Sequence, residues 1–141
     1  MSAPEGQVLF LDRSLAGLAA SALSDAGAAV ERHQDHFAPD AADADWLRDV
    51  GRRGWLVVTA DKRIRLNPLE RRALGESGVA LFVLASGNMT GPEQARALAA
   101  ALPRMLRFAR RYDPPFVARI HRDGSIRLQW ALDARRRGGR R

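Results

Sequence analysis

Three aspartates stand where short apolar segments end or where a helix begins. Asp12 closes VLFLD, Asp43 opens the pattern DADWL, and Asp61 closes WLVVTAD. In an α/β protein the carboxyl ends of parallel strands and the adjoining helix N-termini share one edge of the sheet, so these carboxylates can converge from distant positions. Carboxylate oxygens are the hard ligands that Mg²⁺ and Mn²⁺ prefer. The pattern therefore predicts a metal-binding acidic edge.

Each aspartate also has a purely structural interpretation. Asp12 and Asp43 occupy positions that suit helix N-caps, and Asp61 suits a turn after its strand. Asp45 is ambiguous, because it is either an outer ligand of the metal site or an exposed acid favoured by the helix dipole. Three carboxylates at one edge favour the metal interpretation, since packed like charges need a neutralising cation.

Basic residues follow two of these aspartates directly. Arg13 comes after Asp12, while Lys62, Arg63 and Arg65 come after Asp61. Side chains that share an edge with a metal site are well placed to hold a phosphodiester. The alternative is a solvated charge run in a turn.

Other site chemistries find little support. The chain has no cysteine, no glycine-rich nucleotide loop and no GxSxG motif, which excludes disulfides and disfavours dinucleotide, NTPase and serine hydrolase chemistry. His33 and His36 flank Asp35 in a polar loop, where solvated side chains are expected. A zinc site is not favoured, because no further ligand has the required spacing.

Composition predicts one soluble domain. The chain has 141 residues and 46% hydrophobic content, and no segment approaches the roughly 20 apolar residues of a membrane span. The beginning of the sequence does not resemble a secretory signal, and the absence of cysteine suits the cytoplasm.

The charge is unevenly distributed. Residues 1–51 contain three arginines and nine acidic residues, whereas residues 104–141 contain twelve arginines and three aspartates. The net charge of +7 is compatible with a nucleic-acid partner that supplies phosphates. Genome base composition is an alternative source of part of this arginine content, because arginine outnumbers lysine 22 to 1 in an alanine-rich chain.

The elements that position these residues alternate between strands and helices. Hydrophobic periodicity and capping residues predict four strands, each followed by a helix. Such βα units predict a parallel sheet with helices on both faces. The strands are predicted at Val8–Leu11, Ala28–Arg32, Trp55–Thr59 and Val79–Leu84, and the helices at Ser14–Ala26, Asp43–Arg53, Asn67–Ser77 and, after the N-cap Thr90, to about Arg110.

The pattern changes after residues 114–115. Residues 116–121 and 125–130 alternate around an Asp-Gly turn, which predicts a β-hairpin appended to the α/β body. Residues 1–133 are predicted to form one domain that includes the hairpin 116–130. Residues 134–141, ending RRRGGRR, are predicted to be a basic disordered tail.

Three segments together resemble a known family. Residues 12–17 (DRSLAG), 43–74 (DADWL through TADKRIR to RRAL) and 79–95 (VALFVLASGNMTGPEQA) are similar to the PIN-like domains of VapC-type toxins. The resemblance implies a three-layer α/β/α sandwich with a mostly parallel sheet. It also implies a cytoplasmic, Mg²⁺- or Mn²⁺-dependent endoribonuclease that cuts RNA and is paired with an antitoxin protein.

By this resemblance Asp12, Asp43 and Asp61 match the family's acidic positions. Asp12 and Asp61 are then expected to hold the metal while Asp43 completes its shell, and Arg13, Lys62 and Arg63 position the substrate. The strand after Asp61 supplies no fourth carboxylate, so a single ion is expected.

Two other functions are compatible with the sequence. An inactive relative that binds only RNA or protein fits the missing carboxylate. A phospho-acceptor receiver domain fits less well, because Arg13 stands where a second acid is expected. The sequence leaves open whether the protein is a homodimer.

Overall fold

The computed structural model describes residues 7–15, 17–61, 72, 75–85 and 88–131. The elements that lie wholly within these ranges are six strands, three α-helices and one 3-10 turn. They are β1 (Val8–Leu11), α1 (Gly17–Asp25), β2 (Ala29–Arg32), the 3-10 turn (His33–Asp35), α2 (Asp43–Arg53), β3 (Leu56–Thr59), β4 (Ala80–Leu84), α3 (Gly91–Arg111), β5 (Phe116–Ile120) and β6 (Ile126–Ala131).

The strands form one sheet in the order β2-β1-β3-β4-β5-β6. Strands β1 to β5 are mutually parallel, and β6 pairs antiparallel with β5. Every residue of β3 and β4 is buried, as expected for apolar strands that are covered on both faces.

Side chains alternate between two hydrophobic clusters, one on each face of the sheet. Helices α1 and α3 pack on one face, where Leu23, Phe82 and Met105 are buried. Helix α2 packs on the other, where Phe10 and Leu47 are buried. The predicted α/β/α sandwich with a mostly parallel sheet is therefore confirmed.

Local sequence explains where the helices begin and end. Thr90 and Glu93 form a capping box, in which the Thr90 hydroxyl accepts from the Glu93 N–H and the Glu93 carboxylate accepts from the Thr90 N–H. Helix α2 ends at Gly54, which adopts a left-handed conformation with φ +74°. Thr90 is the N-cap that the sequence predicts, and α2 has the predicted bounds, Asp43–Arg53.

The sequence predicts that the hairpin is appended to the α/β body, and the structure shows instead that its first strand belongs to the main sheet. Strand β5 pairs with β4 throughout its length, and Phe116, Val117, Ala118 and Ile120 are buried. Residues at that depth belong to the main core, so β5 extends the parallel sheet and only β6 is added at its edge. Trp130 of β6 packs against the cluster on the α2 face.

Part of the predicted Asn67–Ser77 helix is described, since Arg72 and residues 75–77 are helical. The rest of that helix and the predicted tail at 134–141 lie outside the described residues. Among the helices of the described chain, none is long and apolar enough to cross a membrane.

Candidate active site at the carboxyl edge

Three of the four predicted acidic residues line one pocket at the carboxyl ends of β1 and β3. The pocket has a volume of about 360 Å³, and Asp12, Asp43 and Asp61 all contribute to its wall. Arg13 and Trp46 line it as well. The structure thus brings together three carboxylates that are far apart in sequence.

Asp12 is the most enclosed of them, with 8% of its surface exposed. Its N–H donates to the Val58 carbonyl at 3.1 Å, so the ladder between β1 and β3 continues one residue beyond Leu11. The carboxylate accepts hydrogen bonds from the Ser14 hydroxyl, from the Ser14 N–H at 3.0 Å and from the Thr59 hydroxyl at 2.5 Å. Asp12 is therefore held in one orientation by two neighbouring hydroxyls.

The same hydroxyls also hold the loop that carries Asp61. The Ser14 oxygen accepts from the Ala60 N–H at 2.8 Å, and the Thr59 oxygen accepts from the Asp61 N–H at 2.9 Å. One small network consequently fixes the ends of both strands, and it joins two of the three carboxylate-bearing segments.

Burial raises the pKa of Asp12 above its ordinary value of 3.8. Hydrogen bonds from Ser14 and Thr59 oppose the shift in pKa, whereas the negative charge of Asp61 adds to it. The ionised carboxylate is thus costly here, and a bound cation would lower that cost.

Arg13 has structural partners that the sequence did not predict. Its Nε donates to Nδ1 of His33 at 2.9 Å, and its terminal nitrogen donates to the Phe37 carbonyl at 2.8 Å. The guanidinium therefore ties the loop after β2 to the end of β1. Its predicted role in positioning substrate stays a prediction.

The expectation that His33 is solvated is wrong. His33 is 4% exposed, and its ring packs 5.1 Å from that of Trp46 and 6.0 Å from that of Phe10, centroid to centroid. Burial and the neighbouring Arg13 charge lower the pKa of His33, while Asp43 opposes the shift. A neutral imidazole explains this position, because only an unprotonated Nδ1 can accept from Arg13. His36 is exposed and bonds to Glu31 at 2.7 Å.

Asp43 begins α2, and its carboxylate accepts a hydrogen bond from the indole nitrogen of Trp46 at 2.9 Å. Asp45 lies outside the pocket, with its side chain 77% exposed and paired with Arg48 at 3.8 Å. Lys62, Arg63 and Arg65 lie outside the described residues, so their predicted role stays untested.

Sequence reasoning missed the two hydroxyl residues. Ser14 is two positions after Asp12, a spacing typical of an Asx turn, and that spacing was an available indication. Thr59 was assigned only as a strand residue. Its side-chain contact with Asp12 depends on the pairing of β1 with β3, which no local pattern specifies.

A divalent cation suits the donor set of the pocket. The three carboxylates supply hard oxygen ligands, and the Arg13 guanidinium is directed at His33 and Phe37 instead of at them. Within the described ranges no three acidic or histidine side chains form a preassembled cluster. Mg²⁺ needs only one or two carboxylates together with waters, so Asp12 and Asp61 suffice.

The substitution Asp12→Asn is expected to raise the melting temperature by a few degrees at neutral pH without divalent metal. The pKa of Asp12 is raised, which means that the native state binds the proton of this carboxyl more tightly than the unfolded chain does. That contribution to stability is complete below the unfolded pKa and is lost as the pH rises through the folded pKa. Asparagine removes the buried charge and can keep the Ser14 contacts.

Thermal denaturation of both proteins across acidic and neutral pH measures this effect. The gain should shrink as the pH falls through the raised pKa of folded Asp12, and it should be gone below the unfolded value of about 4. Added Mn²⁺ should stabilise the parent more than the variant, because a ligand that binds only the native state stabilises it. A variant that is less stable than the parent at neutral pH would contradict the cost assigned to the buried charge.

The protein is an α/β/α sandwich with an acidic pocket at the carboxyl ends of β1 and β3. Comparison with protein families identifies the family to which this architecture belongs. The family model described as "PIN like domain" matches residues 8–86, and the chain belongs to this family. This confirms the resemblance found in the sequence.

A curated protein of Mycobacterium tuberculosis, named "Putative ribonuclease VapC45", is 28% identical over 125 residues, covering 85% of this chain and 90% of the relative. No solved structure matches the chain.

Proposed function

We propose that this protein is a metal-dependent endoribonuclease and the toxin of a toxin–antitoxin pair. The observation that supports the proposal most is the convergence of Asp12, Asp43 and Asp61 on one pocket. Membership of the PIN like domain family and similarity to a protein named as a VapC ribonuclease support the RNA substrate and the antitoxin partner.

In this proposal Asp12 and Asp61 hold one Mg²⁺ or Mn²⁺ ion, and Asp43 completes or orients its surroundings. When bound, the ion supplies Lewis acidity toward a phosphoryl oxygen and toward the attacking water. Ser14 and Thr59 keep the Asp12 carboxylate in one orientation, which reduces the reorganisation needed during reaction. The Trp46 indole does the same for Asp43.

The Arg13–His33 contact has a positioning role in this scheme. It fixes the loop after β2 that lines the pocket, and the Arg13 charge adds to burial in lowering the pKa of His33. The positive charges of Lys62, Arg63 and Arg65 are proposed to bind the phosphates on either side of the scissile bond.

A catalytically inactive RNA- or protein-binding module is the second candidate. It is favoured by the absence of a fourth carboxylate after β4, where Asn88 is an exposed turn residue. The receiver-domain alternative gains nothing from the family comparison.

Cleavage of a fluorescently labelled single-stranded RNA tests the proposal. Purified protein, free of any co-purifying partner, should give defined products with Mn²⁺ or Mg²⁺ and none with excess EDTA. RNA binding without products at any concentration of either ion would replace the ribonuclease by the binding module.

A further inference from the structure

One row of side chains crosses the sheet at its carboxyl end, on the face that carries α2. Thr59 bonds to Asp12 across β3 and β1, and the strand register then continues Thr59↔Val83, Val83↔Arg119 and Arg119↔Arg127. These five residues are called the carboxyl-end row. The buried carboxylate of the pocket and two arginines therefore lie along the same line.

The positive charges of Arg119 and Arg127 repel each other unless an anion binds between them. They are direct cross-strand partners, with Cβ atoms about 5 Å apart in such pairs, and like charges in this arrangement are destabilising. In the part of the chain that the structure describes, neither Arg119 nor Arg127 has a carboxylate partner among the ion pairs. The Arg119 Nε is buried, and among the described residues it has no hydrogen-bond acceptor.

A phosphate group would remove both penalties. Its oxygens accept paired N–H bonds from guanidinium groups, and its charge neutralises the repulsion between the two side chains. Arg127 is exposed, so the position is open to a ligand from solvent.

The distance of the two arginines from Asp12 indicates which phosphate of an RNA substrate they would bind. Strands in a sheet are about 4.8 Å apart, which places Arg119 and Arg127 roughly 14 and 19 Å along the row from Asp12. This separation is too large for the phosphate that is cut. The separation suits another phosphate of the same RNA molecule, a few nucleotides from the phosphate that is cut.

We propose that Arg119 and Arg127 form a phosphate subsite that binds the RNA backbone a few nucleotides from the scissile bond. Thr59 and Val83 of the row are buried, so the RNA backbone passes outside them, over the carboxyl edge of the sheet, from the pocket to the two arginines. The inference rests on the proposed ribonuclease function, because it is the shared row with Asp12 that favours the substrate over an acidic protein segment.

The variant Arg127→Gln tests the subsite by binding, independently of cleavage. With a non-cleavable 2′-O-methyl RNA long enough to span the row, the variant should bind roughly tenfold more weakly by fluorescence anisotropy. The slope of log affinity against log salt should become shallower by about 0.7, the value for one phosphate contact in a single strand. A dinucleotide should bind both proteins equally, since it cannot reach the subsite.

Three controls separate this role from a structural one. Arg127→Lys should restore part of the affinity, because it keeps the charge. Arg52→Gln, at the exposed C-terminal turn of α2 and the opposite edge of the sheet, should not change RNA affinity. Arg127→Gln should be at least as stable as the parent, since it removes a repulsive pair.

A scan with methylphosphonate, which neutralises one phosphate at a time, locates the contact. One position a few nucleotides from the cleavage point should weaken binding to the parent and leave binding to Arg127→Gln unchanged. Equal affinity of parent and variant for RNA of every length would overturn the proposal. So would a variant that loses affinity for polyglutamate and keeps its affinity for RNA, which would indicate an acidic protein partner.

These outcomes are distinct from failure of the proposed function. If the parent cuts no RNA and the binding loss of Arg127→Gln persists, the ribonuclease proposal fails and the phosphate subsite remains. If the parent cuts RNA and Arg127→Gln binds like the parent, only the subsite fails.

Discussion

The substitution Asp12→Asn is expected to reduce metal-dependent RNA cleavage by about 100-fold or more while leaving RNA affinity nearly unchanged. Asp12 is buried, is held by Ser14 and Thr59, and interacts electrostatically with Asp61. Replacing one carboxylate oxygen by an amide removes the negative charge that a divalent ion requires. In the proposed function the arginines provide most of the RNA affinity, and this substitution leaves them unchanged.

Initial cleavage rates over a range of Mn²⁺ and Mg²⁺ concentrations measure the effect. The matched control is Asp25→Asn, the same substitution at an exposed residue where α1 ends, at the opposite edge of the sheet. It should cleave like the parent. If Asp12→Asn gives the same products at the same rates as the parent, the acidic pocket is not the site of cleavage.

This result complements the stability prediction for the same variant. A residue whose neutralisation stabilises the fold and abolishes activity is one that the protein keeps for function. A residue with a purely structural role would lose stability and activity together. Helix α1 begins at Gly17, so Asp12 is not its N-cap, and the combined measurements separate a functional carboxylate from one that only fixes the turn after β1.

Gly51→Ala is expected to destabilise the protein by roughly 1–3 kcal/mol, as overpacking in a well-packed interior does. A Cβ atom at Gly51 would stand 2.1 Å from the Ser77 carbonyl oxygen and 2.9 Å from its carbon. Both are backbone atoms of the segment that leads into β4, so no side-chain rotation relieves the clash. Helix α2 must shift, and Asp43 and Trp46 shift with it.

Urea denaturation measures the loss of stability, and the cleavage assay should show a parallel loss of activity. Gly17→Ala is the control, because no atom of the described residues lies within 4 Å of a Cβ there. It should be neutral or stabilise α1 slightly, by at most about 1 kcal/mol. Parent-like stability of Gly51→Ala would show that α2 packs less closely than the structure indicates.

Much of the fold follows from local sequence. Apolar runs and helical periodicity placed every described strand and helix to within a few residues, since burial of one face imposes these periods. The capping box at Thr90 and the left-handed Gly54 were predictable because each depends on a few adjacent residues. The sequence also located the three aspartates, because parallel strands necessarily share a carboxyl edge.

Other features depend on contacts between distant residues, which no local pattern encodes. Strand β5 became part of the core because its long pairing with β4 buries it, although its alternation is typical of a free hairpin. His33 is buried because two residues distant in sequence contact it. Arg13 donates a hydrogen bond to its Nδ1, and the Trp46 ring packs against its imidazole.

The sequence by itself determined which residue types are available for chemistry and which elements carry them. The tertiary structure decided which of them meet. Thr59 reaches Asp12 only because β3 lies beside β1, and Arg119 faces Arg127 only because of the register between β5 and β6. Strand order and register arise from packing summed over the whole sheet, so they are fixed only when the chain folds.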